Sequence, residues 1–509
     1  MNTKRIILST LNARYIHSAF GLRYLKANLG ELSEKCEILE YTIDSRPEDI
    51  AEQLLSRKPK YIGFGVYIWN VVQTEKLVAL IKAIAPEVVI ILGGPEVSYE
   101  HEQQSIAALA NHVITGWGDL SFKELIEQLE AGQACSKVIA GKQAKLDQIT
   151  MPYDLYKDED IRNRVIYVEA SRGCPFKCEF CLSALDKTAW PFDLDQFLEQ
   201  MDILYQRGAR HFKFVDRTFN LKVKSSLRIM EFFLERLSDD LFLHFEVVPD
   251  HLPEALKEMI QRFPQGVLQF EIGIQTFNPK VQQSISRRQN NDKAKENLRW
   301  IKQQSNAYIH ADLIFGLPGE SLRSFADSFN TLVALQPHEV QVGILKRLRG
   351  SPIIRHTDDY QLVFNPNPPY AIVSSSEVQF ADVQAINRFA RYWDMIANSG
   401  RFTAILPLLL GNYEEQNSLY QRFSIVSESL FRRTAQTHKI ALLRLFDLLY
   451  DILIEDLSES ASDSLQALTF DYERSGLKSL PRVLRAMPIA KAPKEISKPA
   501  YKSRQSRRL

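Results

Sequence analysis

The chain has 509 residues, and its 63 Lys and Arg residues nearly balance its 62 Asp and Glu residues. A chain of this length exceeds one ordinary hydrophobic core, so two or three domains are expected. The net charge of +1 excludes a global attraction to nucleic acid or to an anionic membrane, so we expect nucleic acid to be an unlikely partner.

The sequence also favours a soluble, cytoplasmic protein. No apolar run approaches the roughly 18 residues that span a bilayer, so no membrane association is expected. The start, MNTKRIILSTLNARYIHS, lacks the apolar core of a signal peptide. Five cysteines in so long a chain do not make a disulfide framework, and reduced thiols point to metal or redox chemistry.

Residues 1–145 alternate strand and helix patterns, which predicts an α/β domain with a doubly wound parallel sheet. The predicted strands are Arg5–Thr10, Glu37–Tyr41, Lys60–Tyr67, Val88–Leu92 and Val113–Thr115. The predicted helices are Gly21–Leu29, Glu48–Leu55, Val71–Lys82 and Ser121–Leu129. Such sheets bind ligands at the carboxyl ends of their strands. No G-x-G-x-x-G follows the first strand, which argues against a dinucleotide site.

Three loop segments carry a family resemblance. YIGFGVYIWN, ILGGPEVS and TGWGDLSF resemble the cobalamin-binding domain at the front of B12-dependent radical SAM proteins. The resemblance implies that the matching loops lie along the corrin ring and around its nucleotide tail. The residues it implicates are Tyr67, Trp69, Asn70, Gly93, Gly94, Pro95, Glu96, Gly116 and Asp119.

Purely structural interpretations of these loops stay open. The glycines could simply shape tight strand-to-helix turns, and Asp119 could simply cap the helix that follows it. The D-x-H-x-x-G motif by which other B12 proteins offer a histidine to cobalt is absent, because His17 and Gly21 have the wrong spacing. We therefore expect His17 to be a local hydrogen-bonding residue.

Residues 146–164 are polar and lack sustained periodicity, which predicts an interdomain linker. Residues 165–353 resume the strand–helix rhythm, with helical patterns such as Asp193–Gln206 and Lys222–Leu237, and this predicts a partial (β/α)6 barrel. The predicted strands are Val165–Val168, His211–Val215, Leu243–Val247, Leu268–Gly273, Tyr308–Phe315 and Val340–Leu345.

Cys174, Cys178 and Cys181 form a C-x-x-x-C-x-x-C motif after the first barrel strand. Thiolates suit zinc or iron–sulfur clusters, and a structural zinc site would need a fourth protein ligand, for which no C-x-x-C or H-x-x-x-H partner stands nearby. Three cysteines can instead hold a 4Fe–4S cluster and leave one iron free. The motif is similar to that of the radical SAM superfamily, where the free iron binds S-adenosylmethionine. Phe180 fits the aromatic position that contacts the adenine there.

GIQTFNPKVQQSISRR and DLIFGLPGE resemble the fourth and fifth strand segments of the radical SAM barrel. The resemblance implies that Gln275, Asn278 and Arg288 lie near the ribose and carboxylate of S-adenosylmethionine. It assigns Ile314–Leu317, with Ile314 and Gly316, to backbone contacts with adenine, and Asp216 to the methionyl amino group. Asp216 and Glu271 stand at strand ends, where a barrel places its chemistry, and are the candidate catalytic residues. The alternative is that each simply pairs with a barrel arginine.

Residues 354–488 change to helical periodicity, which predicts a mainly α-helical C-terminal domain. Its aromatic faces are expected to be core, with substrate gating as the alternative. This region resembles an uncharacterised domain that accompanies some B12-type radical SAM proteins. Residues 489–509 are rich in Lys and Arg, and a basic disordered tail is expected.

Taken together, the resemblance spans roughly residues 5–350. It implies a cobalamin-binding radical SAM enzyme that uses a 4Fe–4S cluster to cleave S-adenosylmethionine to a 5′-deoxyadenosyl radical, for methylation of an unreactive carbon of a small-molecule substrate. A reducing partner such as a flavodoxin or ferredoxin is implied.

Other functions fit parts of this pattern. Cobalamin-dependent rearrangement or ring contraction without methylation fits the same residues, and a non-catalytic cobalamin or cluster sensor stays open. A methylthiotransferase is disfavoured, because its second cluster needs three N-terminal cysteines. Cys36 and Cys135 are the two cysteines outside the motif, and both are expected to be buried hydrophobes.

Overall fold

The computed structural model describes residues 5–411 and 419–485. Two six-stranded parallel sheets follow one another along the chain, and helices dominate after the second. The fold class expected from the sequence is confirmed, whereas the predicted tail, 489–509, lies outside the described residues. The domain boundaries stay predictions.

The N-terminal sheet has the strand order β2-β1-β3-β4-β5-β6, and every neighbouring pair is parallel. Its strands are β1 (Ile6–Asn12), β2 (Cys36–Thr42), β3 (Tyr61–Gly65), β4 (Val89–Gly93), β5 (His112–Thr115) and β6 (Val138–Ala140). Its helices are α1 (Phe20–Ala27), α2 (Pro47–Leu55), α3 (Val71–Ile84), α4 (Ser105–Leu109) and α5 (Ser121–Glu130).

Side chains of β1 point alternately into two separate apolar cores. Ile7 packs with residues of α2 and α3 on one face, and Leu8 packs with residues of α1 and α5 on the other. A strand covered on both faces is buried along its whole length, as β1 is. Its polar residues, Ser9, Thr10 and Asn12, are hydrogen-bonded to neighbouring strands. The strand order reverses between β1 and β3, and such a switch point opens a crevice at the carboxyl ends of the strands.

The linker, residues 146–164, packs against both the N-terminal α/β unit and the barrel and is not an exposed tether. It contains α6 (Asp158–Asn163), and both Tyr153 and Tyr156 are fully buried. The carboxylate of Asp160 accepts a hydrogen bond from Arg23 of α1 at 2.8 Å.

The second sheet has the order β7-β10-β11-β12-β13-β14, again with every neighbouring pair parallel, while β8 and β9 form a small antiparallel pair. The strands are β7 (Ile166–Val168), β8 (Ser171–Arg172), β9 (Trp190–Pro191), β10 (His211–Phe214), β11 (Phe242–Val247), β12 (Leu268–Gln275), β13 (Tyr308–Phe315) and β14 (Glu339–Ile344). The helices are α7 (Leu194–Gln206), α8 (Val223–Leu234), α9 (Glu254–Gln261), α10 (Pro279–Ser284), α11 (Asn291–Gln304) and α12 (Leu322–Ala334).

Alternation along β12 separates an apolar face from a polar one. Phe270 and Ile272 are buried in the core, whereas Glu271 and Gln275 point to the other face. In β13, His310 and Asp312 follow the same rule. The inner face of this partial barrel is therefore polar, which suits a ligand cavity better than a packed interior.

The C-terminal region adds a strand pair and five helices among its described residues. These are β15 (Val363–Phe364), β16 (Ile372–Ser374), α13 (Phe380–Ile396), α14 (Leu406–Leu410), α15 (Leu419–Thr434), α16 (Leu442–Glu455) and α17 (Ala461–Arg474). Phe389 and Trp393 of α13 are buried and lie 5.0 and 4.8 Å from the ring of Phe329 in α12. The expectation that the aromatic faces are core is confirmed, because they continue the barrel's own core.

The two cysteines outside the motif differ in burial. Cys36 is buried as expected, whereas Cys135 is only partly buried, so the prediction of a buried hydrophobe holds in part for it: it packs against the same apolar core with its Sγ 3.4 Å from Gln128 Oε1. It follows a turn at the sheet edge, where little chain covers it. In the described parts of the chain, no helix is long and apolar enough to cross a bilayer.

Candidate functional site: two cavities

The first cavity lies at the carboxyl ends of the barrel strands and has a volume of about 280 Å³. It brings together the cysteine loop, the ends of β11 and β12, and the segment after α10. The lining residues with polar or thiol groups are Cys174, Cys178, Cys181, Ser183, Arg217, Thr218, Glu246, Asp250, Glu271, Gln275, Arg287, Arg288, Gln289 and Asp312.

All three cysteines of the motif line this cavity as free thiols. Gly173 precedes them with φ +94°, and a Cβ there would meet Thr188 Oγ1 at 2.5 Å, so the turn requires glycine. The backbone of Cys174 is fixed by its N–H, which donates to the Asp186 carbonyl at 2.8 Å. Within the described residues, no three His, Cys, Asp or Glu side chains are grouped as a single metal ion would require. The three thiols nevertheless line one open space, and cysteine thiolates are the ligands of iron–sulfur clusters.

The protonation of the thiols depends on burial and on one arginine. Burial raises the pKa of Cys174 and of Cys178. Arg287 works against this at Cys178, because its Nη1 lies 3.7 Å from the sulfur and favours the thiolate. The family resemblance pointed to Arg288, which also lines the cavity, and not to its neighbour Arg287.

Glu179, inside the cysteine motif, is a second residue that sequence analysis missed. Its buried carboxylate accepts hydrogen bonds from Ser286 Oγ at 2.5 Å and from Arg355, and it lies 2.7 Å from His356 Nε2. Its backbone N–H donates to the Ile285 carbonyl at 3.1 Å. The cysteine loop is thus anchored from two sides by chain segments distant in sequence.

Four of the residues assigned to S-adenosylmethionine or to catalysis line the cavity: Phe180, Glu271, Gln275 and Arg288. Glu271 Oε2 lies 3.2 Å from Lys213 Nζ and 2.8 Å from His244 Nε2. Burial alone would raise the pKa of Glu271, but His244 and Lys213 outweigh it and hold that pKa well below its usual range. In place of the arginine considered as an alternative, Glu271 pairs with a lysine and a histidine.

Gln275 offers the cavity an unused polar atom. It has φ +68°, and the pairing of β12 with β13 shifts register between Gly273 and Gln275. Such an irregularity re-aims the side chain at the strand end. Its Oε1 is buried and has no hydrogen-bond partner among the described residues, so a donor on a bound ligand would satisfy it.

Asp216, Asn278, Ile314 and Gly316 are not among the lining residues. Asp216 is buried and accepts from Ala170 N at 3.0 Å and Ser171 Oγ at 2.6 Å, and burial raises its pKa to about 7. Asn278 caps α10 by accepting from Lys280 N at 2.9 Å. Gly316 (φ +88°) and Ile314 pack near Ile372 of β16.

The second cavity, of about 270 Å³, lies at the carboxyl ends of β3, β4 and β5, between α1 and α5. Tyr67, Gly93, Gly94, Gly116 and Asp119 line it, together with Gly63 and Gly65 of β3. Gly94 has φ +106°, and a Cβ there would meet the Val66 carbonyl at 2.5 Å. Because glycines have no side chains to fill the space, a ligand can approach the backbone closely here, between apolar side chains.

The remaining four cobalamin candidates stand outside the lining. Trp69 is 46% exposed and stacks on Tyr67 at a centroid distance of 4.4 Å. Asn70 is buried and donates to the carbonyls of Leu11 and Gly65, which fixes the loop that presents Tyr67. Pro95 is exposed.

Glu96, the fourth, is buried and points toward the C-terminal half of the chain. It accepts from Arg349 Nε at 3.0 Å and from the Tyr370 hydroxyl at 2.7 Å. His17 also lies outside the lining, and its Nδ1 is 2.7 Å from the Tyr167 hydroxyl. It is a hydrogen-bonding residue as expected, but its partner is on β7 of the barrel and is not local in sequence.

Arg172 joins the second cavity to the start of the cysteine segment, and no motif pointed to it. It lines the second cavity, stands two residues before Cys174, and donates to Asp119 Oδ2 at 3.0 Å and to Glu169 Oε1 at 2.6 Å. Burial opposes its charge, but Glu169 and Asp119 outweigh that effect and raise its pKa. Asp119 therefore pairs with Arg172 and does not cap α5, whose N-cap residue, Leu120, makes no side-chain cap bond.

Three family models match successive parts of the sequence. Residues 7–126 match the B12 binding domain, residues 168–332 match the radical SAM superfamily, and residues 358–508 match a protein family of unknown function, DUF4080.

Among curated proteins, the chain is similar to an uncharacterized methyltransferase of Pyrococcus horikoshii, with 26% identity over 59% of this chain and 70% of the relative. It is also similar to the cobalamin-dependent radical SAM methyltransferase TokK of Streptomyces tokunonensis, with 21% identity over 57% of this chain and 47% of TokK. The chain thus spans about half the length of TokK.

Two solved structures share the fold. The cobalamin-dependent S-adenosylmethionine radical enzyme OxsB aligns with a TM-score of 0.60 and 14% identity over 92% of this chain and 78% of OxsB. The radical S-adenosylmethionine methyltransferase TsrM from Kitasatospora setae, solved with cobalamin and a 4Fe–4S cluster, aligns with a TM-score of 0.57 and 15% identity over 72% of this chain and 82% of TsrM. At these identities the likeness concerns the fold.

Proposed function

Because this chain belongs to the radical SAM proteins that carry a B12-binding domain, we propose that it is a cobalamin-dependent methyltransferase acting on an unreactive carbon of a small molecule. The observation that carries the proposal is a pair of cavities. The three cysteines line one and several glycines line the other, and Arg172 of the second cavity stands two residues before the first cysteine.

The cofactors fit the residues present. When bound, a 4Fe–4S cluster supplies electrons and a chelating iron for S-adenosylmethionine, and cobalamin supplies a carrier for the methyl group. Cys174, Cys178 and Cys181 would hold the cluster as thiolates, and Arg287 offsets part of the cost of ionising Cys178. The cavity lined by Gly93, Gly94 and other glycines would take the cobalamin.

Within the first cavity, we assign S-adenosylmethionine to Phe180, Gln275 and Arg288. The ring of Phe180 offers a flat apolar surface to adenine. The unpartnered Oε1 of Gln275 accepts a hydrogen bond from an amino or hydroxyl group. The guanidinium of Arg288 suits the methionyl carboxylate.

The two candidate catalytic carboxylates receive different roles. Glu271 faces the cavity, but its lowered pKa makes it a weak base at neutral pH, so we assign it to orienting a substrate or cofactor group by accepting a hydrogen bond. Asp216 has a pKa near neutrality, but its oxygens hold Ala170 and Ser171, so we assign it to fixing the strand end that leads to the cysteine loop.

We further propose a cytoplasmic setting and a reducing partner such as a flavodoxin or ferredoxin. The substrate would enter where Asp250, Arg288 and Gln289 border both this cavity and an adjoining open groove.

The test is anaerobic reconstitution of the full chain with iron, sulfide and hydroxocobalamin, followed by dithionite and S-adenosylmethionine. We expect 5′-deoxyadenosine and S-adenosylhomocysteine from the wild type, detected by mass spectrometry. Cys178→Ala should give neither product, whereas Cys135→Ala, at a half-exposed cysteine outside both cavities, should match the wild type. Deoxyadenosine without S-adenosylhomocysteine would favour rearrangement, and a fully loaded protein that forms neither product with a substrate library would support the sensor alternative.

A further inference from the structure

The loop Gly116–Asp119, called here the GWGD loop, lies between the second cavity and the barrel and contacts both. It follows β5 and lines the second cavity. Its Asp119 Oδ2 accepts a hydrogen bond from Arg172 Nη1 at 3.0 Å. Its Trp117 Nε1 donates to Asp186 Oδ2 at 3.0 Å. The loop therefore contacts the barrel at two separate side chains.

Both of those side chains border the cysteine segment. Arg172 precedes Cys174 by two residues, and Asp186 follows Cys181 by five residues. The carbonyl of Asp186 also accepts from the backbone N–H of Cys174 at 2.8 Å. One loop of the second cavity thus fixes the entry and the exit of the segment that carries all three thiols.

The Arg172 contact has one well-defined arrangement. The guanidinium carbon lies 4.7 Å from the ring centroids of Tyr24 and Trp117, and a second carboxylate, Glu169, accepts at 2.6 Å. A buried charge with this many partners loses heavily when one of them moves away. A shift of Asp119 therefore disturbs Arg172, and through it the start of the cysteine segment.

We propose that the GWGD loop couples the two cofactor sites, so that occupancy of either one tightens binding at the other. This inference rests on the proposed function, because it places cobalamin in the second cavity and the cluster on the cysteines. The Asp119–Arg172 and Trp117–Asp186 contacts join the wall of the second cavity to both ends of the cysteine segment. A group that binds at either site stabilises the arrangement in which these contacts are made, and this arrangement is the one that the other site needs. The coupling is reciprocal by linkage.

The experiment measures the Kd of hydroxocobalamin by anaerobic equilibrium dialysis, using the full chain with and without its reconstituted cluster. For the wild type, we expect cobalamin to bind at least about fivefold more tightly when the cluster is present. The EPR spectrum of the reduced cluster gives the reciprocal readout, and it should change when cobalamin is added.

Two conservative variants test the loop. Asp119→Asn removes the charge that faces Arg172, and because Asp119 lines the cavity it can weaken cobalamin binding in both states. Trp117→Phe keeps a ring beside Arg172 and loses the N–H that reaches Asp186. In both variants the ratio of the two Kd values should fall toward one, and the EPR response to cobalamin should diminish.

Glu100→Gln is the matched control. It weakens a different ion pair between the same two parts of the chain, with Arg347 and Arg349, without touching the cysteine segment. It should therefore keep the wild-type ratio. A wild-type ratio of one, or a ratio kept by both loop variants, would overturn the coupling alone. Failure of the wild type to bind cobalamin in either state would overturn the proposed function as well.

Discussion

Arg287 illustrates how a single side chain tunes the candidate cluster site. Its Nη1 lies 3.7 Å from the Cys178 sulfur, and its other nitrogens are held by the Gly273 carbonyl and the Gln289 side chain. Burial raises the pKa of Cys178, and this fixed positive charge offsets part of that effect by favouring the thiolate.

We predict that Arg287→Gln raises the pKa of Cys178 further. The thiolate is the reactive form, so the pH dependence of alkylation of Cys178 by iodoacetamide should shift to higher pH in the cluster-free protein. Arg287→Lys, which keeps the charge, should shift it less. Cys174 in the same molecule is the internal reference, since the arginine that acts on its pKa is Arg217. Equal shifts at both cysteines would contradict the prediction.

At this scale the sequence located the cysteines and several lining residues but could not rank neighbours. Arg287 and Arg288 have the same chemistry and adjacent positions, and the backbone direction after α10 decides which one reaches the sulfur. Glu179 lies between two cysteines of the motif, but its sequence position alone did not indicate a role. Its partners, Ser286, Arg355 and His356, come from segments that only folding brings near.

The helix α13 shows what periodicity determines at the scale of an element. Its aromatic residues repeat at helical spacing, and Phe389 is 1% exposed against the rings of α12 and α15. Phe380, at the start of the same helix, is 58% exposed.

We predict that Phe389→Ala lowers the free energy of unfolding by about 3 to 5 kcal/mol, because a large buried side chain leaves a cavity. Phe380→Ala should change it by less than about 0.5 kcal/mol. Urea unfolding followed by tryptophan fluorescence measures both. A comparable loss in the two variants would show that α13 does not pack by this face.

Short elements escaped the sequence analysis for a physical reason. The strand β6 has three residues and a largely exposed pattern, so it carries no alternation that could reveal it. Pairing with β5 alone makes it a strand. The same holds for β15 and β16, which define each other across two or three residues.

At the scale of the whole molecule, an ion-pair cluster joins the N-terminal sheet to the chain after the barrel. Arg349 contacts Glu96 at 3.0 Å, Glu100 at 3.1 Å and the Tyr370 hydroxyl at 3.0 Å. Arg347 pairs with Glu100 at 2.9 Å. Glu96 is 3% exposed, so it depends on its partners for the hydrogen bonds that water cannot supply.

We predict that Arg349→Met destabilises the protein by about 3 to 5 kcal/mol, since it leaves the carboxylate of Glu96 buried without its cation. Arg347→Met should cost less, because Glu100 keeps Arg349. Thermal unfolding compares the two, and limited proteolysis of residues 146–164 reports whether the halves separate. Equal midpoints would mean that Glu96 is not held by Arg349.

The sequence by itself determined the two α/β units, the helical C-terminal region and the three-cysteine motif. These depend on local periodicity and on spacing within a few residues, which a linear chain displays directly. Only the tertiary structure decided that Asp119 pairs with Arg172, that Glu96 binds Arg349, and that Asp216 holds a backbone turn. Each of those choices depends on partners far away in the sequence, and the free energy that selects them arises when burial removes water as an alternative partner.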